Sequence, residues 1–391
     1  MIKKMEELDL RGRATFIRVD FNVPLSADKK VTDDTRIRAA LPTIQLARKM
    51  GARVILASHL GRPKGGPDPE FSLEPVGALL AELLGADVVF ADDCVGDGVK
   101  KNIRDLREGD VLLLENLRFH KGEEKNDDAF ARALADGVEA YVNDAFGAAH
   151  RAHASVVGMV KHVRDKAAGL LMMKEVEILT GLLDKPNRPF VALLGGAKVS
   201  DKVAVLDNLV KKADAILVGG AMAYTLMAAS GKKTGNSRVE HDKISVAEGI
   251  VRAAESRNVP LLLPIDHVVA PRFDEGAPAS VVSEIPGDQM GLDIGPKTIE
   301  LFKKKIGEAK TIFWNGPMGV FEWPSFAKGT MAMAEAVASA KATTVVGGGD
   351  SVAALNQSGL EAKITHVSTG GGASLELIEG KLLPGVEALK Q

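Results

Sequence analysis

The chain contains 391 residues, with 50 Lys and Arg against 52 Asp and Glu and a formal net charge of −2 at pH 7. This length favours two or three domains of roughly 150 residues each and excludes a single small module. The 46% hydrophobic content excludes a disordered chain, while the near-neutral charge and 4% aromatic content argue against a nucleic-acid-binding protein.

Short apolar runs alternate with helical segments along the chain, which is typical of parallel α/β folds. Each run is too apolar to form one face of an open sheet, so helices are expected on both faces of each sheet. The strands fall into two blocks, which predicts two α/β lobes. The predicted strands are 16–19, 54–57, 111–114 and 140–142 in the first block, and 190–194, 215–218, 261–263, 311–314 and 343–346 in the second.

A helix is predicted between the two blocks, over residues 166–183, where apolar side chains recur at helical spacing. It is expected to stop before Pro186 and Pro189, because proline cannot continue a helix. No low-complexity tract occurs here. We therefore interpret the segment as a helix that joins two lobes.

Polar and cationic residues follow the predicted strands of the first block. Ligands of open α/β sheets bind beyond the carboxyl ends of the strands, so these positions are candidates for a site. A cluster of arginines repels itself unless it holds an anion, and guanidinium groups bind phosphate and carboxylate in bidentate fashion. Any one of these arginines alone fits a solvated surface charge. The candidates are Asp20, Asn22, Arg36, His59, Arg62, Arg118 and Arg151, and together they predict a small ligand with several negative charges.

Glycine-rich turns follow the strands of the second block. Glycine lets backbone N–H groups approach phosphate closely, and a helix that begins at such a turn adds its dipole. A single turn of this kind fits tight strand-to-helix packing, but several in one lobe, accompanied by Lys198, Lys202 and Asp350, indicate nucleotide binding. The turns lie at 195–202, 219–220, 315–319, 347–351 and 369–374.

The common nucleotide motifs are absent around these turns. The segment near Lys198 does not match the P-loop pattern, and Leu375 stands where a dinucleotide fingerprint requires glycine or alanine. The sequence also lacks the catalytic set of protein kinases and any cysteine–histidine spacing typical of zinc sites. Asp350 is a candidate Mg²⁺ ligand, because Mg²⁺ is bound by few carboxylates and several phosphate oxygens.

The single cysteine, Cys94, and a charged N-terminal segment predict a cytoplasmic protein without an intramolecular disulfide. The longest uncharged stretch, residues 215–231, contains two glycines and several polar residues. We interpret it as a buried strand, turn and helix, and expect no membrane span.

Six motifs, in the same order along the chain, resemble the phosphoglycerate kinase family. The resemblance extends from the first strand to the turn at 369–372, which is nearly the whole chain. The motifs are RVDFNVP at 18–24, SHLGRP at 58–63, ENLRF at 115–119, GGAKVSDK at 195–202, WNGPMGVFE at 314–322 and GGGDS at 347–351.

This resemblance implies two similar-sized lobes, each a mostly parallel sheet with helices on both faces, joined by a helix and separated by a cleft. The implied N-terminal lobe, 1–168, binds 3-phosphoglycerate or 1,3-bisphosphoglycerate. A connecting helix, 169–186, leads to the nucleotide-binding lobe, 187–375, which takes ATP or ADP with Mg²⁺. Residues 376–391 are expected to fold back onto the first lobe. The resemblance also implies a monomer that bends at a hinge.

The resemblance further implies roles for individual residues. Arg36 and Lys198 are expected to meet on the transferring phosphoryl group, with amides near Gly371 and Gly372 assisting. Asp350 is expected to hold Mg²⁺, Glu322 to contact the ribose, and the other residues to surround the two ligands. The implied acid-binding residues are Asp20, Phe21, Asn22, Arg36, His59, Leu60, Gly61, Arg62, Arg118 and Arg151. The implied nucleotide-binding residues are Lys198, Lys202, Asn315, Pro317, Val320, Glu322, Gly348, Gly349, Asp350 and Ser351.

The implied activity is the reversible reaction of 1,3-bisphosphoglycerate with ADP to give 3-phosphoglycerate and ATP. Two other functions are open to the same residues. A two-lobed anion-binding protein would explain the cationic lobe but not the glycine-rich one. An NAD-dependent dehydrogenase would need the dinucleotide fingerprint. His267 is unusual for the family, and no role is assigned to it.

Overall fold

The computed structural model describes residues 2–390, so Met1 and Gln391, the ends of the predicted terminal ranges, lie outside the described residues. The chain divides into two units. Unit 1 comprises the residues up to Glu177 together with the segment from Leu382 onward, and unit 2 comprises Ile178–Lys381. Each unit contains a six-stranded sheet, and every pairing within these two sheets is parallel.

The sheet of unit 1 has the strand order β3-β4-β2-β1-β5-β6. The central strand β1 is fully buried and pairs with β2 on one side and β5 on the other. The chain reverses its direction of winding between β1 and β5, which is where open parallel sheets bind ligands. The strands are β1 Ala14–Arg18, β2 Arg53–Ala57, β3 Val88–Phe90, β4 Val111–Leu113, β5 Ala140–Asn143 and β6 Asp165–Ala168.

Helices of unit 1 cover both faces of this sheet, and one apolar core extends from β1 to helices α1 and α2. The short helix α4 follows a 3₁₀ turn over Leu117–Phe119, and a single π-helical turn occupies Ala154–Gly158. The helices are α1 Thr35–Lys49, α2 Glu74–Leu84, α3 Asp97–Asp105, α4 Lys121–Glu124, α5 Asp128–Ala135 and the first half of α6 Leu170–Asp184, which continues into unit 2.

The prediction that a helix begins at Lys166 is wrong. Residues 165–168 form the edge strand β6, and α6 begins only at Leu170. Gly169 separates the two elements: its N–H donates to Asn143 O at 2.9 Å, and a Cβ there would overlap the Asp144 carboxylate. Four residues are too few for periodicity to distinguish a strand from the first turn of a helix.

The larger sheet of unit 2 has the order β15-β14-β13-β7-β8-β9 and reverses its winding between β7 and β13. A second, three-stranded antiparallel sheet of order β11-β10-β12 is inserted after β9. The strands are β7 Phe190–Leu194, β8 Ala215–Val218, β9 Leu261–Leu262, β10 His267–Ala270, β11 Ser280–Val282, β12 Met290–Ile294, β13 Thr311–Asn315, β14 Thr343–Val346 and β15 His366–Val367.

Helices of unit 2 begin directly after the glycine turns at the carboxyl ends of several strands. Trp314 and Phe302 are fully buried in the core between this sheet and helices α10 and α11. The helices are α7 Val203–Leu209, α8 Met222–Ala229, α9 Ile244–Ser256, α10 Pro296–Glu308, α11 Lys328–Ser339, α12 Gly349–Ser358 and α13 Gly372–Ile378.

The last described residues pack on unit 1. Helix α14, Pro384–Glu387, follows Leu383, which is buried, and Gly385 N–H donates to Ala149 O at 2.8 Å. Lys390 forms an antiparallel bridge with Ile2. Between residues 2 and 390, no helix is both long and apolar enough to cross a membrane.

Candidate active site

In unit 1, the polar side chains predicted from the sequence gather where β1, β2, β4 and β5 end. Phe21 N–H donates to Ser58 Oγ at 2.8 Å, and Asn22 Oδ1 accepts from Gly61 N–H at 2.9 Å. These two bonds join the loop after β1 to the loop after β2. The structure therefore places Asp20, Asn22, His59 and Gly61 in one neighbourhood, as parallel strands require.

His59 lies at the base of this neighbourhood and is only 4% exposed. Its Nδ1 is 3.1 Å from Nη2 of Arg18, a residue that the sequence analysis did not select. Burial lowers the pKa of His59 well below its ordinary value, and the charges of Arg18, Arg118 and Arg151 lower it further. His59 is therefore neutral near pH 7.

Arg118 is also buried and is held by the same loops. Its Nη1 donates to Gly61 O at 2.6 Å, while its Nε lies 3.4 Å from Glu124 Oε1 without a hydrogen bond. Burial lowers the pKa of this guanidinium, an effect that the Glu124 carboxylate opposes. A buried arginine with an unused donor is a good partner for an anion.

Three further arginines of unit 1 were predicted from the sequence, and one of them, Arg151, interacts electrostatically with both His59 and Arg118. Arg36, near the start of α1, donates from Nη1 to Asp20 Oδ2 at 2.8 Å and remains 36% exposed in its side chain. Arg62 is exposed on the loop after β2, and Arg151 is half-buried with its Nε 3.3 Å from His150 Nε2. Asp20 thus orients the Arg36 guanidinium.

Phe21 and Leu60, both predicted to bind substrate, have buried side chains with exposures of 0% and 3%. Asn116 fixes the loop around them: its Oδ1 accepts from Leu60 N–H and its Nδ2 donates to Leu60 O. The backbone N–H groups of Phe21 and Leu60 are likewise already bonded, to Ser58 and Asn116 respectively. Their side chains pack in the core beneath the loop.

In unit 2, the glycine turns after β7, β8 and β13 pack backbone against backbone. Gly195 N–H donates to Asn315 O at 2.9 Å, and a Cβ on Gly195 would lie 2.0 Å from Pro317 O. Gly316 has φ +99°, and a Cβ there would lie 2.1 Å from Gly195 O. Larger residues at these two positions would force the loops apart, so the glycines allow this close approach.

A cavity of about 450 Å³ opens beside these turns. Gly196 and Gly220 border it on one side, and Pro317, Val320 and Glu322 on another. The inserted antiparallel sheet supplies further apolar wall, with Leu292 O accepting from Val320 N–H at 2.9 Å. A mostly apolar cleft with a few polar groups is typical of a site for a nucleoside.

Asp350 lines this cavity, and Lys202 lies close enough to interact with its charge. Asp350 is an exposed carboxylate in the first turn of α12, after Gly348 with φ +94°. Burial lowers the pKa of Lys202 to about 8, while the charge of Asp350 opposes the shift. One water-accessible carboxylate beside a helix N-terminus and a lysine fits Mg²⁺ that is shared with phosphates.

Asn315 and Ser351, both predicted to bind nucleotide, are buried and engaged in the loops. Asn315 Nδ2 donates to Gly347 O at 2.6 Å, and Ser351 Oγ accepts from Gly316 N–H. Both side chains therefore shape the turns after β13 and β14. Asn315 Oδ1 is buried and has no hydrogen-bond partner among the described residues, so it remains available to a donor.

Lys198 is exposed on the loop after β7, and Gly371 precedes α13 with φ +52°. Glu240 holds the lysine loop through Ser200, whose N–H and Oγ donate to the two carboxylate oxygens at 3.0 and 2.6 Å. Arg36 belongs to unit 1 and Lys198 to unit 2. The prediction that they meet on one group therefore stays a prediction.

The fold brings Cys94 close to Asp93 and His120, although the sequence shows no zinc-type spacing. Their potential ligand atoms lie within 4.8 Å of one another. Asp93 Oδ1 already contacts His120 Nε2 at 2.7 Å and accepts from Cys94 N–H, and burial raises the pKa of the thiol well above its ordinary value. This group is a closed hydrogen-bonded set, and its ligand types do not suit Mg²⁺.

Several residues that line this cavity gave no signal in the sequence. Tyr224 lies on α8, while Phe273 and Leu292 belong to the inserted sheet and its loop. Phe273 is 64% exposed and packs against Trp323, with ring centroids 4.5 Å apart. His267 is buried behind Tyr224, with ring centroids 5.6 Å apart, and burial lowers its pKa to about 4. His267 thus contributes to packing as a neutral ring.

Comparison with known proteins agrees with this arrangement. The family model for phosphoglycerate kinase matches residues 5–381. A phosphoglycerate kinase from Anaeromyxobacter dehalogenans (strain 2CP-C) is 60% identical over 394 residues, covering 100% of both chains. Solved structures of phosphoglycerate kinase from Coxiella burnetii and Pyrococcus horikoshii OT3 match at TM-scores of 0.92 and 0.85. Their identities are 41% and 33%, each covering all of this chain and 99% and 98% of theirs. The chain belongs to the phosphoglycerate kinase family.

Proposed function

We propose that this chain transfers a phosphoryl group reversibly between 1,3-bisphosphoglycerate and ADP, giving 3-phosphoglycerate and ATP. The observation that carries this proposal is the division of labour between the units. Unit 1 gathers Arg36, Arg118 and His59 at the carboxyl end of its sheet, while unit 2 has a glycine-bordered cavity beside Lys202. These features suit a small anion and a nucleotide.

The chemistry of this reaction explains the composition of the site. In the direction that consumes ATP, a carboxylate oxygen of 3-phosphoglycerate attacks the γ-phosphorus, and the bond from that phosphorus to the β-phosphate oxygen breaks, with its electron pair leaving on ADP. A carboxyl group with an ordinary pKa near 4 is ionised at pH 7, so no general base is needed. The work of the protein is positioning and charge stabilisation, for which cations and backbone N–H groups suffice.

The residues of unit 1 are proposed to bind the acid. Arg62, Arg118 and Arg151 hold its phosphate and carboxylate, while Asp20 keeps Arg36 oriented for the transferring group. In unit 2, Pro317 and Val320 contact the adenosine and Glu322 the ribose. The amides of Gly348 and Gly349 and the ammonium of Lys202 hold the phosphates. Asp350 would hold Mg²⁺, which neutralises charge on the phosphate oxygens when bound.

Arg36 of unit 1 and Lys198 of unit 2 are the cations proposed to act on the transferring phosphoryl group. Because they belong to different units, catalysis requires the two units to approach when both substrates are bound. Exclusion of water strengthens their effect on the developing charge. We infer from the family that the protein acts as a cytoplasmic monomer with a hinge. Its slight negative net charge argues against a nucleic-acid partner.

The direct test is ATP formation from ADP and 1,3-bisphosphoglycerate by the purified chain. We expect continuous turnover that requires Mg²⁺. Ligand binding without turnover would support an anion-binding protein instead, and a nicotinamide absorbance change with this chain alone would support a dehydrogenase.

Replacing Arg62 by alanine should weaken 3-phosphoglycerate binding by about tenfold or more, because a charged hydrogen-bond donor is lost from the acid site. The affinity for ADP should stay within twofold, since the nucleotide cavity lies in unit 2. Calorimetric titration of each ligand measures both. Arg107→Ala is the matched control, because Arg107 is an exposed arginine just before the amino end of β4, whereas the proposed acid site lies at the carboxyl ends of the strands. An unchanged affinity for 3-phosphoglycerate would contradict the assignment, whereas equal loss of both affinities would point to misfolding instead.

Lys202 should make nucleotide affinity depend on pH. Its pKa of about 8 in the ligand-free protein means that the ammonium form, which binds phosphate, is lost as pH rises through 8. Affinity for Mg·ADP should therefore fall between pH 8 and 9.5, by up to roughly tenfold per pH unit. Lys202→Arg, which stays protonated, should show a flat profile. An equally flat wild-type profile would remove Lys202 from the phosphate site.

A further inference from the structure

Arg18, the last residue of β1, is fully buried beneath the proposed acid site and is bonded on three sides. Its Nε donates to Ser155 Oγ at 2.9 Å, its Nη1 donates to Val19 O, and its Nη2 lies 3.1 Å from His59 Nδ1. Since Arg18 is not exposed, it cannot touch a ligand itself. Any effect on function must pass through its neighbours.

The anchor of Arg18 continues to a buried carboxylate. Glu123, in α4, accepts from Ser155 N–H at 2.9 Å and from Ser155 Oγ–H at 2.6 Å, and its Oε1 is 4.0 Å from Arg18 Nη2. A serine hydroxyl has one proton. Because Ser155 gives that proton to Glu123, its oxygen lone pairs face Arg18. Arg18 thus donates a hydrogen bond to Ser155, which in turn donates one to Glu123.

The donor character of Arg18 determines which ring nitrogen of His59 carries the proton. Arginine is a donor only and stays protonated in proteins, so the contact between Arg18 Nη2 and His59 Nδ1 requires a lone pair on Nδ1. A neutral imidazole with a lone pair on Nδ1 has its proton on Nε2. The ring therefore turns an N–H donor, not a lone pair, away from Arg18. Phosphate and carboxylate offer only acceptors, so this tautomer is the one that an anionic ligand needs.

We propose that Arg18 is a positioning residue that fixes the Nε2–H tautomer of His59, and that Glu123 and Ser155 hold Arg18 in place for this task. The inference rests on the proposed role of His59 in acid binding. It concerns a property of the ligand-free protein, however, and is measured without substrate.

The test is nitrogen-15 NMR of His59 in the ligand-free chain near pH 7.5. We expect the wild type to be protonated at Nε2. Removing Arg18 alone would leave Glu123 unpaired in the core, so the main variant is the charge-neutral pair Arg18→Met with Glu123→Gln. This variant should populate the Nδ1–H tautomer and bind 3-phosphoglycerate about tenfold or more weakly. Its affinity for Mg·ADP should be unchanged. Arg18→Lys retains a donor-only cation and should restore the wild-type tautomer.

Tyr141→Phe is the matched structural control, because Tyr141 is equally buried and its hydroxyl donates to Ser155 O at 2.9 Å. It should lose stability but keep the tautomer. If the double variant does not fold, Ser155→Ala removes the acceptor of Arg18 Nε without changing charge and should shift the tautomer in the same direction.

A wild-type His59 protonated at Nδ1, or variants that keep both the tautomer and the acid affinity, would overturn the inference. His59→Ala separates it from the proposed function. Normal 3-phosphoglycerate binding by that variant would refute the role of His59 in acid binding while leaving the tautomer result standing.

Discussion

An Arg36→Ala variant is expected to lose about 10²- to 10³-fold in kcat, which corresponds to about 2.7–4 kcal/mol of transition-state stabilisation. The reason is geometric. Arg36 is held by Asp20 at 2.8 Å, so its guanidinium is oriented before substrate arrives and still partly exposed. A preoriented cation stabilises charge that develops on the phosphoryl oxygens at little cost in reorganisation. Steady-state assays in both directions measure the loss.

Arg38→Ala is the control for this variant. Arg38 lies on the same helix, is exposed and pairs with Asp34 at 2.9 Å, so its removal tests for a general effect of lost positive charge near α1. It should keep kcat within twofold. Affinity for 3-phosphoglycerate should fall less in Arg36→Ala than kcat does. A normal kcat with weakened acid binding alone would place Arg36 in ground-state binding and contradict the proposed role.

A Lys198→Ala variant is expected to show a comparable 10²- to 10³-fold loss of kcat with Mg·ADP affinity within a few fold of wild type. Lys198 is exposed on a loop that Glu240 fixes through Ser200, which leaves the ammonium free to approach a phosphoryl group from unit 2. Lys202, by contrast, has its pKa lowered by burial and is proposed to bind the nucleotide in the ground state. Loss of Lys198 should therefore lower mainly kcat, and loss of Lys202 should lower mainly the affinity for the nucleotide.

Single-turnover rates with saturating nucleotide isolate the chemical step in the Lys198 variant. Lys211→Ala is a suitable control, because Lys211 is an exposed lysine of the same unit that pairs with Asp207 at 2.7 Å. Near-normal turnover of Lys198→Ala would exclude the lysine from the transferring group. A large loss of nucleotide affinity would instead assign it to phosphate binding.

The central strands of both sheets could be predicted because each is a short, continuous apolar run. All five residues of each of β1 and β7 are buried; those of β7 are all apolar, whereas β1 also contains Thr15 and Arg18. The edge strands β3 and β6 were not predicted, since Val89 is 47% exposed and β6 begins with Asp165 and Lys166. Strands at an edge lack the burial pattern on which the prediction depends.

The candidate site likewise contains some residues that the sequence could predict and others that it could not. Residues that directly follow strands could be selected, because parallel strands end at one edge of the sheet. Arg18 in β1 and Glu123 in α4 could not, because a charged residue is recognised as buried only when its distant partner is known. The cavity wall supplied by Phe273 and Leu292 depends on an inserted antiparallel sheet, which the sequence did not predict.

The most direct test of the proposed catalysis is the structure of a complex with 3-phosphoglycerate, Mg·ADP and a metal fluoride that mimics the transferring PO₃ group. Solution scattering of the same complex would confirm that the crystal preserves its compactness. We expect the Arg36 guanidinium and the Lys198 ammonium both to lie at about 2.7–3.2 Å from the mimic. A compact complex in which both side chains point away from it would contradict the claim that cations of the two units act on one phosphoryl group.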